Sequence, residues 1–284
     1  MMNIIGVDVG GTTITVGRIE NGVITMLREA DTLALEGGDI TIDVLKRLIY
    51  ELITPETTSV GIGVPSVVDR EKGIVYNVQN IKDWDEIHLK SILEKEFNIP
   101  VFIDNDANCF AIGERIFGKG KDFLHFVGIT LGTGVGGGII QNGHLLKDAN
   151  CGSGEFGELP YMESILEEYC GSRFFPREGG MSGYEIAMKA NEGDEKALQI
   201  YVQYGQHMSV LVKMIMLTID PEAIIFGGSI AKSFHLFSKA MYEGLKDFTY
   251  PKSVERLKIL TSELQNTGVL GAGALCVDYN SPAV

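Results

Sequence analysis

The sequence predicts an α/β protein of two lobes with mixed sheets and a cleft between them. Three features carry this expectation. At 284 residues the chain exceeds one small core and suits two domains, taking about 100–200 residues for each. A strand closed by a glycine turn and a returning strand occurs twice, at DVGGTTITVG (8–17) and TLGTGVGGGI (130–139), as in a chain built twice on one plan. Around these hairpins, strand-length apolar runs alternate with helix-period segments.

Taken in order, Ile4 to Val9 is an apolar run stopped by Gly10-Gly11, and Thr-Ile-Thr-Val returns as the second arm of a hairpin. Thr41 to Ile53 places Val44, Leu45, Leu48 and Leu52 on one helical stripe. Ser59 to Val64 is a strand halted by Pro65, Trp84 to Phe97 has helical spacing, and Val101 to Ile103 begins another strand. Phe126 to Leu131, the turn Gly132 to Gly138 and Ile139-Ile140 repeat the hairpin. Ser182-Gly-Tyr-Glu185 fits a capping box. After Asp194, apolar residues from Ala197 to Ile219 recur every three or four positions until Asp220-Pro221 ends the helix, and Ala223 to Phe226 is a strand closed by Gly227-Gly228. The hairpins argue against an all-parallel dinucleotide-binding sheet. Gly132-Thr-Gly-Val-Gly-Gly137 satisfies G-x-G-x-x-G, but the chain continues as a strand where that fingerprint must open a helix. Gly113 to Lys119 begins like a phosphate-binding P-loop, yet Gly120 stands where Ser or Thr is required.

A net charge of −14 repels phosphate backbones and argues against nucleic-acid binding. The N-terminus lacks the basic flank and apolar core of a secretory signal. No apolar run reaches the roughly 18 residues that span a bilayer. Four dispersed cysteines without a C-x-x-C pair read as reduced thiols in a cytoplasmic protein.

Glycine turns carry chemistry when backbone N–H groups must approach a phosphate closely. Gly10 and Gly11, preceded by Asp8 and followed by the hydroxyls of Thr12 and Thr13, make one such turn; Gly132, Thr133 and Gly134 make the other. Asp8 is placed to hold Mg²⁺, directly or through water. The densest constellation is Asp104-Asn105-Asp106-Ala107-Asn108 after a strand end, where α/β proteins bind ligands, although Asp and Asn also form ordinary solvated turns.

With these pieces assembled, the chain resembles the ROK family of sugar kinases and sugar-responsive repressors, which use the actin-like ATPase (ribonuclease H-like) fold. The resemblance runs through DVGGTTITVG (8–17), GIGVPSVVD (61–69), the Asn80 region, IPVFIDNDANCFAIGE (99–114), TLGTGVGGGII (130–140), GSGEFGE (152–158), DPEAIIFGGSIA (220–231) and GVLGAGAL (268–275). It implies ATP- and Mg²⁺-dependent phosphorylation of a hexose, glucose first, with N-acetylmannosamine, N-acetylglucosamine, fructose or allose as alternatives. Asp106 matches the catalytic base and Asn105 a sugar ligand. Glu155 and Glu167 match two further sugar ligands, Pro65 and Ser66 fall beside the sugar, and Gly227 and Gly228 fall at the nucleotide. The expected lobes are residues 1–116 joined by 268–284, and residues 117–267. A homodimer is a further implication.

The family pattern breaks at one place. Glu158 stands where the family has a histidine that ligates zinc and touches the sugar, and Leu159 to Glu168 contains no cysteine. A zinc site of the usual kind is therefore not expected. Glu158 then reads a sugar hydroxyl or is a surface acid. The family's repressors carry a DNA-binding domain ahead of this region. Because the first strand starts at Asn3, none is expected in this chain.

Overall fold

In the computed structural model, residues 2–78, 81–147 and 149–280 are described. By contact the chain divides into two units: Met1–Asp122 with His144–Ser153 and Leu264–Val284, and Phe123–Gly143 with Gly154–Glu263. The return of 144–153 to the first unit had no signal in the sequence.

The first unit is built on strands β1 (Asn3–Val9), β2 (Thr13–Glu20), β3 (Val23–Asp31), β4 (Ser59–Val64) and β5 (Val101–Asn105), in the order β3-β2-β1-β4-β5. The hairpin strands pair antiparallel, while β4 and β5 join parallel. The second unit repeats the arrangement. Strands β6 (Phe126–Leu131) and β7 (Val135–Gln141) form the hairpin, and β8 (Ala223–Gly227) and β9 (Lys258–Thr261) add in parallel on the β6 side. Both sheets are therefore mixed, as expected.

Helices cover the first sheet on both faces. α1 (Gly38–Leu52) buries Leu45, Leu48 and Leu52 against a cluster that includes Val7, Ile62 and Ile103. It starts earlier than its apolar stripe, and Trp84 donates from Nε1 to the Gly38 carbonyl at 3.2 Å. Trp84 is thus a buried anchor, and α2 is confined to Leu89–Phe97, shorter than the expected Trp84 to Phe97. The other face receives α3 (Asp106–Phe117) and α6 (Thr267–Asn280). That face is lined with glycine because the helices lie almost on the backbone. A Cβ on Gly61 would fall 1.8 Å from the Ala272 carbonyl oxygen, and one on Gly6 would fall 2.1 Å from that of Val269. The close seating brings the first turn of α6 to the end of β1.

In the second unit α4 (Leu166–Cys170) is a single turn and α5 (Glu195–Thr218) is the long helix expected after Asp194, which caps it through Ala197 N–H at 2.9 Å. The capping box at Ser182 and Glu185 forms with both of its bonds. Among the described residues, no helix is long and apolar enough to cross a membrane.

Candidate functional site

Parallel register assembles the carboxylates of the first unit. Asp8 on β1 lies opposite Gly63 on β4, and Gly63 lies opposite Asp104 on β5. Side chains level across parallel strands share a face, so the two acids flank a glycine, about 10 Å apart from the strand spacing. Gly63 leaves the gap that Cys109 fills, with its Sγ 3.2 Å from where a Cβ would stand. Burial pushes the Cys109 thiol well above its usual range, and the charges of Asp104, Asp106 and Asp8 push the same way.

The three differ in role because their surroundings differ. Asp104 is 1% exposed. Arg70 Nε sits 2.6 Å from its Oδ2, and its Oδ1 accepts from Asn105 N–H and Asn108 Nδ2, both at 2.8 Å. Arg70 also donates to the Leu146 carbonyl at 3.1 Å and lies over the Tyr279 ring. Asn105 caps α3, its Oδ1 accepting from Ala107 and Asn108 N–H at 2.9 and 3.1 Å. Its Nδ2 bonds none of the described residues. Asp106 then occupies the first turn of α3, exposed to solvent, where the unpaired N–H groups of a helix favour negative charge.

Asp8 is partly buried, and desolvation lifts its carboxyl above the ordinary range. A Cβ on Gly268 would lie 2.1 Å from its Oδ2, so only glycine lets the first turn of α6 pass this acid. Ionised Asp8 costs the fold stability above its raised pKa, and the cost disappears as pH falls below the ordinary carboxylate value. Asp8→Asn should therefore be more stable than the native chain at pH 7, the difference closing toward pH 4. Denaturant melts at the two pH values measure it, and a variant less stable at pH 7 would contradict the assignment.

Beside Asp8, the turn Gly10–Thr13 is tied by Gly10 N–H to the Thr13 carbonyl at 2.9 Å. Thr32 grips it from the end of β3, its Oγ1 donating to the Gly10 carbonyl at 2.7 Å and its N–H to the Thr12 carbonyl at 2.9 Å. Gly11 is partly exposed, and Thr12 and Thr13 are exposed. Pro65 and Ser66 end β4. The Ser66 hydroxyl is spent on the Tyr76 carbonyl of a small three-stranded sheet. Asn80 lies outside the described residues.

The second unit gathers the other predicted residues. Gly132–Gly134 link β6 to β7, with Gly132 N–H bonded to the Gly134 carbonyl at 3.1 Å. A Cβ on Gly132 would meet nothing within 4 Å, so this backbone is open to an approaching group. Gly227 ends β8 level with Thr130. Gly228, at φ +87°, runs so close that a Cβ would strike the Leu131 carbonyl oxygen at 2.3 Å; the pair therefore sits directly beside the turn.

Gly154 and Gly137 also meet backbone to backbone, which lays the turn Phe156–Glu158 along β7. Glu155 keeps an exposed side, yet desolvation and the charges of Glu158 and Glu167 raise its carboxyl above the usual range. Glu158 is exposed. Glu167 is not open in the same way: its Oε2 accepts from Val135 N–H at 3.1 Å. Between Glu158 and Glu167 the chain forms a small hairpin, Pro160–Tyr161 with Ser164–Ile165. Among the described residues, no group of three or more His, Cys, Asp or Glu is arranged to hold a metal ion.

Sequence reasoning missed Arg70 and Thr32, each remote in the chain from the group it holds. The one available signal for Arg70 was a cation in VVDREKG, a segment that also holds Lys72.

The chain matches the ROK family over residues 4–174 and 172–278. It is 30% identical over 310 residues to a glucokinase of Thermotoga maritima, covering 96% of this chain and 97% of that one. It is 28% identical over 303 residues to the xylose repressor of Bacillus subtilis, covering 97% and 77%. A crystal structure of a ROK family glucokinase from Streptomyces griseus, in complex with glucose and AMPPNP, superposes with a TM-score of 0.79 at 25% identity, covering 96% and 98%. The fold is the actin-like ATPase fold of these sugar kinases.

Proposed function

The chain belongs to the ROK family, and from that premise we propose that it is an ATP-dependent hexose kinase that converts glucose to glucose 6-phosphate. The observation that carries the reading is the register that sets Asp8 and Asp104 at one end of the first sheet, with Asp106 two residues on at the start of α3 and exposed, unlike the other two. Asp104 is committed to Arg70 and Asp8 stands beside the Gly10–Thr13 turn, where it is assigned to the phosphate side; in this reading Asp106 is the base.

In this reading the Asp106 carboxylate takes the proton of the sugar hydroxyl. The hydroxyl oxygen bonds to the γ-phosphorus, and the bond from that phosphorus to the β–γ bridging oxygen breaks, releasing ADP. A positioned base is worth about 10²–10⁴ in rate; alignment and charge stabilisation supply the rest. Asn105, with Nδ2 still able to donate, is the first unit's residue for orienting the sugar, with Pro65 and Ser66 beside it; Glu155 and Glu158 are the second unit's candidates for sugar hydroxyls. The donor sets fit the nucleotide: Gly10–Thr13 offers backbone and hydroxyl donors, and Gly132 exposes bare backbone where a phosphate can come close. Gly227 and Gly228 line the same edge. Asp8, a carboxylate that pays for its own desolvation, suits a magnesium ion, which supplies charge neutralisation for the phosphates when bound. No structural zinc is needed.

The test is ADP release with glucose, N-acetylmannosamine, N-acetylglucosamine, fructose and allose, on protein stripped of zinc and supplied with Mg²⁺. The expected result is full activity, with kcat/KM highest for glucose. Another sugar ranking first would change the substrate and keep the reaction. Folded protein that binds ATP and turns over no sugar would overturn the kinase reading and favour a sugar-responsive regulator, a reading supported by the likeness to the xylose repressor.

A further inference from the structure

We propose that Thr32 is a positioning residue for the turn Gly10–Thr13: it draws two carbonyls of the turn inward and so aims the Gly11 and Thr13 N–H groups outward, as donors to a nucleotide phosphate. The inference rests on reading that turn as a phosphate site.

The turn does not fix this form by itself. Gly10 and Gly11 are adjacent, and two glycines leave the peptide between them free to rotate about its flanking bonds. A half-turn of that plane would replace the Gly11 N–H with the Gly10 carbonyl oxygen, and a phosphate would then meet partial negative charge in place of a donor. The bond from Gly10 N–H to the Thr13 carbonyl closes the turn but leaves this plane unheld.

Thr32 holds it at two points. Its Oγ1 donates to the Gly10 carbonyl at 2.7 Å, and its N–H donates to the Thr12 carbonyl at 2.9 Å. No peptide bond among the described residues is cis, and in a trans peptide the N–H points opposite to the carbonyl that precedes it. The Gly11 and Thr13 N–H groups therefore both face away from Thr32. Thr32 is fully buried, whereas Gly11 is partly exposed and Thr12 and Thr13 are exposed, so the side away from Thr32 is the open side of the turn. Successive N–H groups turned to one open side make an anion-binding concavity.

Thr32 is held in its turn by α1. Thr41, near the start of that helix and also fully buried, donates from Oγ1 to the Thr32 carbonyl at 3.0 Å. The loop between the two threonines is anchored by Lys82 N–H on the Ala34 carbonyl at 2.8 Å and by Trp84 on the Gly38 carbonyl. The hydroxyl, N–H and carbonyl of Thr32 are thus all committed, two of them to the turn and one to the frame behind it.

Valine matches threonine closely in shape and removes only the hydroxyl; serine keeps the hydroxyl. Thr32→Val should raise the ATP KM and the directly measured Kd for AMPPNP about five- to tenfold, because only molecules with the peptide correctly turned bind, and one hydrogen bond sets that fraction. The glucose KM at saturating ATP should change less than about twofold, and Thr32→Ser should bring both nucleotide values to within about twofold of native. Thr41→Val removes an equally buried hydroxyl one bond further from the turn. It should lower the melting temperature as Thr32→Val does, yet leave the AMPPNP Kd within about twofold of native. Should Thr32→Val fail to fold, the native protein still decides: AMPPNP should slow hydrogen exchange at the Gly11 and Thr13 amides and leave the Thr32 amide, already bonded, unchanged. A Val variant that binds AMPPNP as the native protein does, a Ser or Thr41→Val variant as weak as Thr32→Val, or Gly11 and Thr13 amides indifferent to bound AMPPNP would each overturn the proposal. Native protein that binds no AMPPNP at all would instead defeat the kinase reading on which it stands.

Discussion

Asp106→Asn should lower kcat by a factor of about 10²–10⁴ while leaving the protein folded and able to bind both substrates. The substitution keeps the size and planarity of the side chain and removes only its basicity. In the general-base reading that loss is about 3–5 kcal/mol of transition-state stabilisation, at about 1.36 kcal/mol per factor of ten. The glucose KM should move little, since an amide oxygen still accepts a hydrogen bond from the hydroxyl. Stability should drop by less than about 1 kcal/mol, the worth of an anionic side chain in the first turn of a helix. Exposure of Asp106 at the start of α3 supports this mildness. Initial-rate kinetics on ADP release, with thermal melts in parallel, measure both halves. A variant that retains more than a tenth of native kcat would remove Asp106 from the role of base.

The site was legible in the sequence where chemistry is local and hidden where it depends on pairing across the fold. The two glycine hairpins were readable because strand alternation and the turn residues lie within ten positions of one another. Asp106 and Asn105 were readable because a strand end followed by acids and amides also begins a helix. Helix α6 was not derivable from propensity. Its segment GVLGAGALCV carries three glycines, each costing about 1 kcal/mol in a helix interior. The cost is met by contact: a Cβ on Gly271 would lie 2.3 Å from the Cys109 carbonyl oxygen of α3. The glycines that weaken the helix therefore let it lie against α3 and the sheet. Trp84 misled in the opposite direction. Its apolar spacing extends a helical pattern, but the ring is buried and bonded to Gly38, so packing decides the start of α2. Glu167 was found by resemblance, yet its bond to Val135 depends on a glycine turn 32 positions away.

The same distinction separates Asp104 from Asp106, and Arg70 is where it is tested. Arg70→Met should destabilise the first unit by about 3–5 kcal/mol, the range for a buried ion pair stripped of one partner. Methionine preserves much of the apolar stem that packs under Tyr279, so the loss is electrostatic more than steric. The Asp104 carboxylate is left 1% exposed without its counter-charge, and water cannot replace the guanidinium there. Its pKa in the folded variant must then rise above the unfolded value. The penalty is accordingly full at neutral pH and shrinks as acid protonates the carboxyl, the reverse of ordinary acid denaturation. Adding Asp104→Asn should recover most of the loss. The amide removes the charge while its oxygen still accepts from Asn105 N–H and Asn108 Nδ2, the two bonds that set up the cap of α3. Recovery therefore separates cost of charge from cost of geometry. Chemical denaturation of the native, single and double variants at pH 7 and pH 5 measures the whole cycle. An Arg70→Met protein within about 1 kcal/mol of native, or a double variant no better than the single, would mean that Asp104 is neutral in the fold, and the choice of Asp106 over Asp104 as the base would lose its first step.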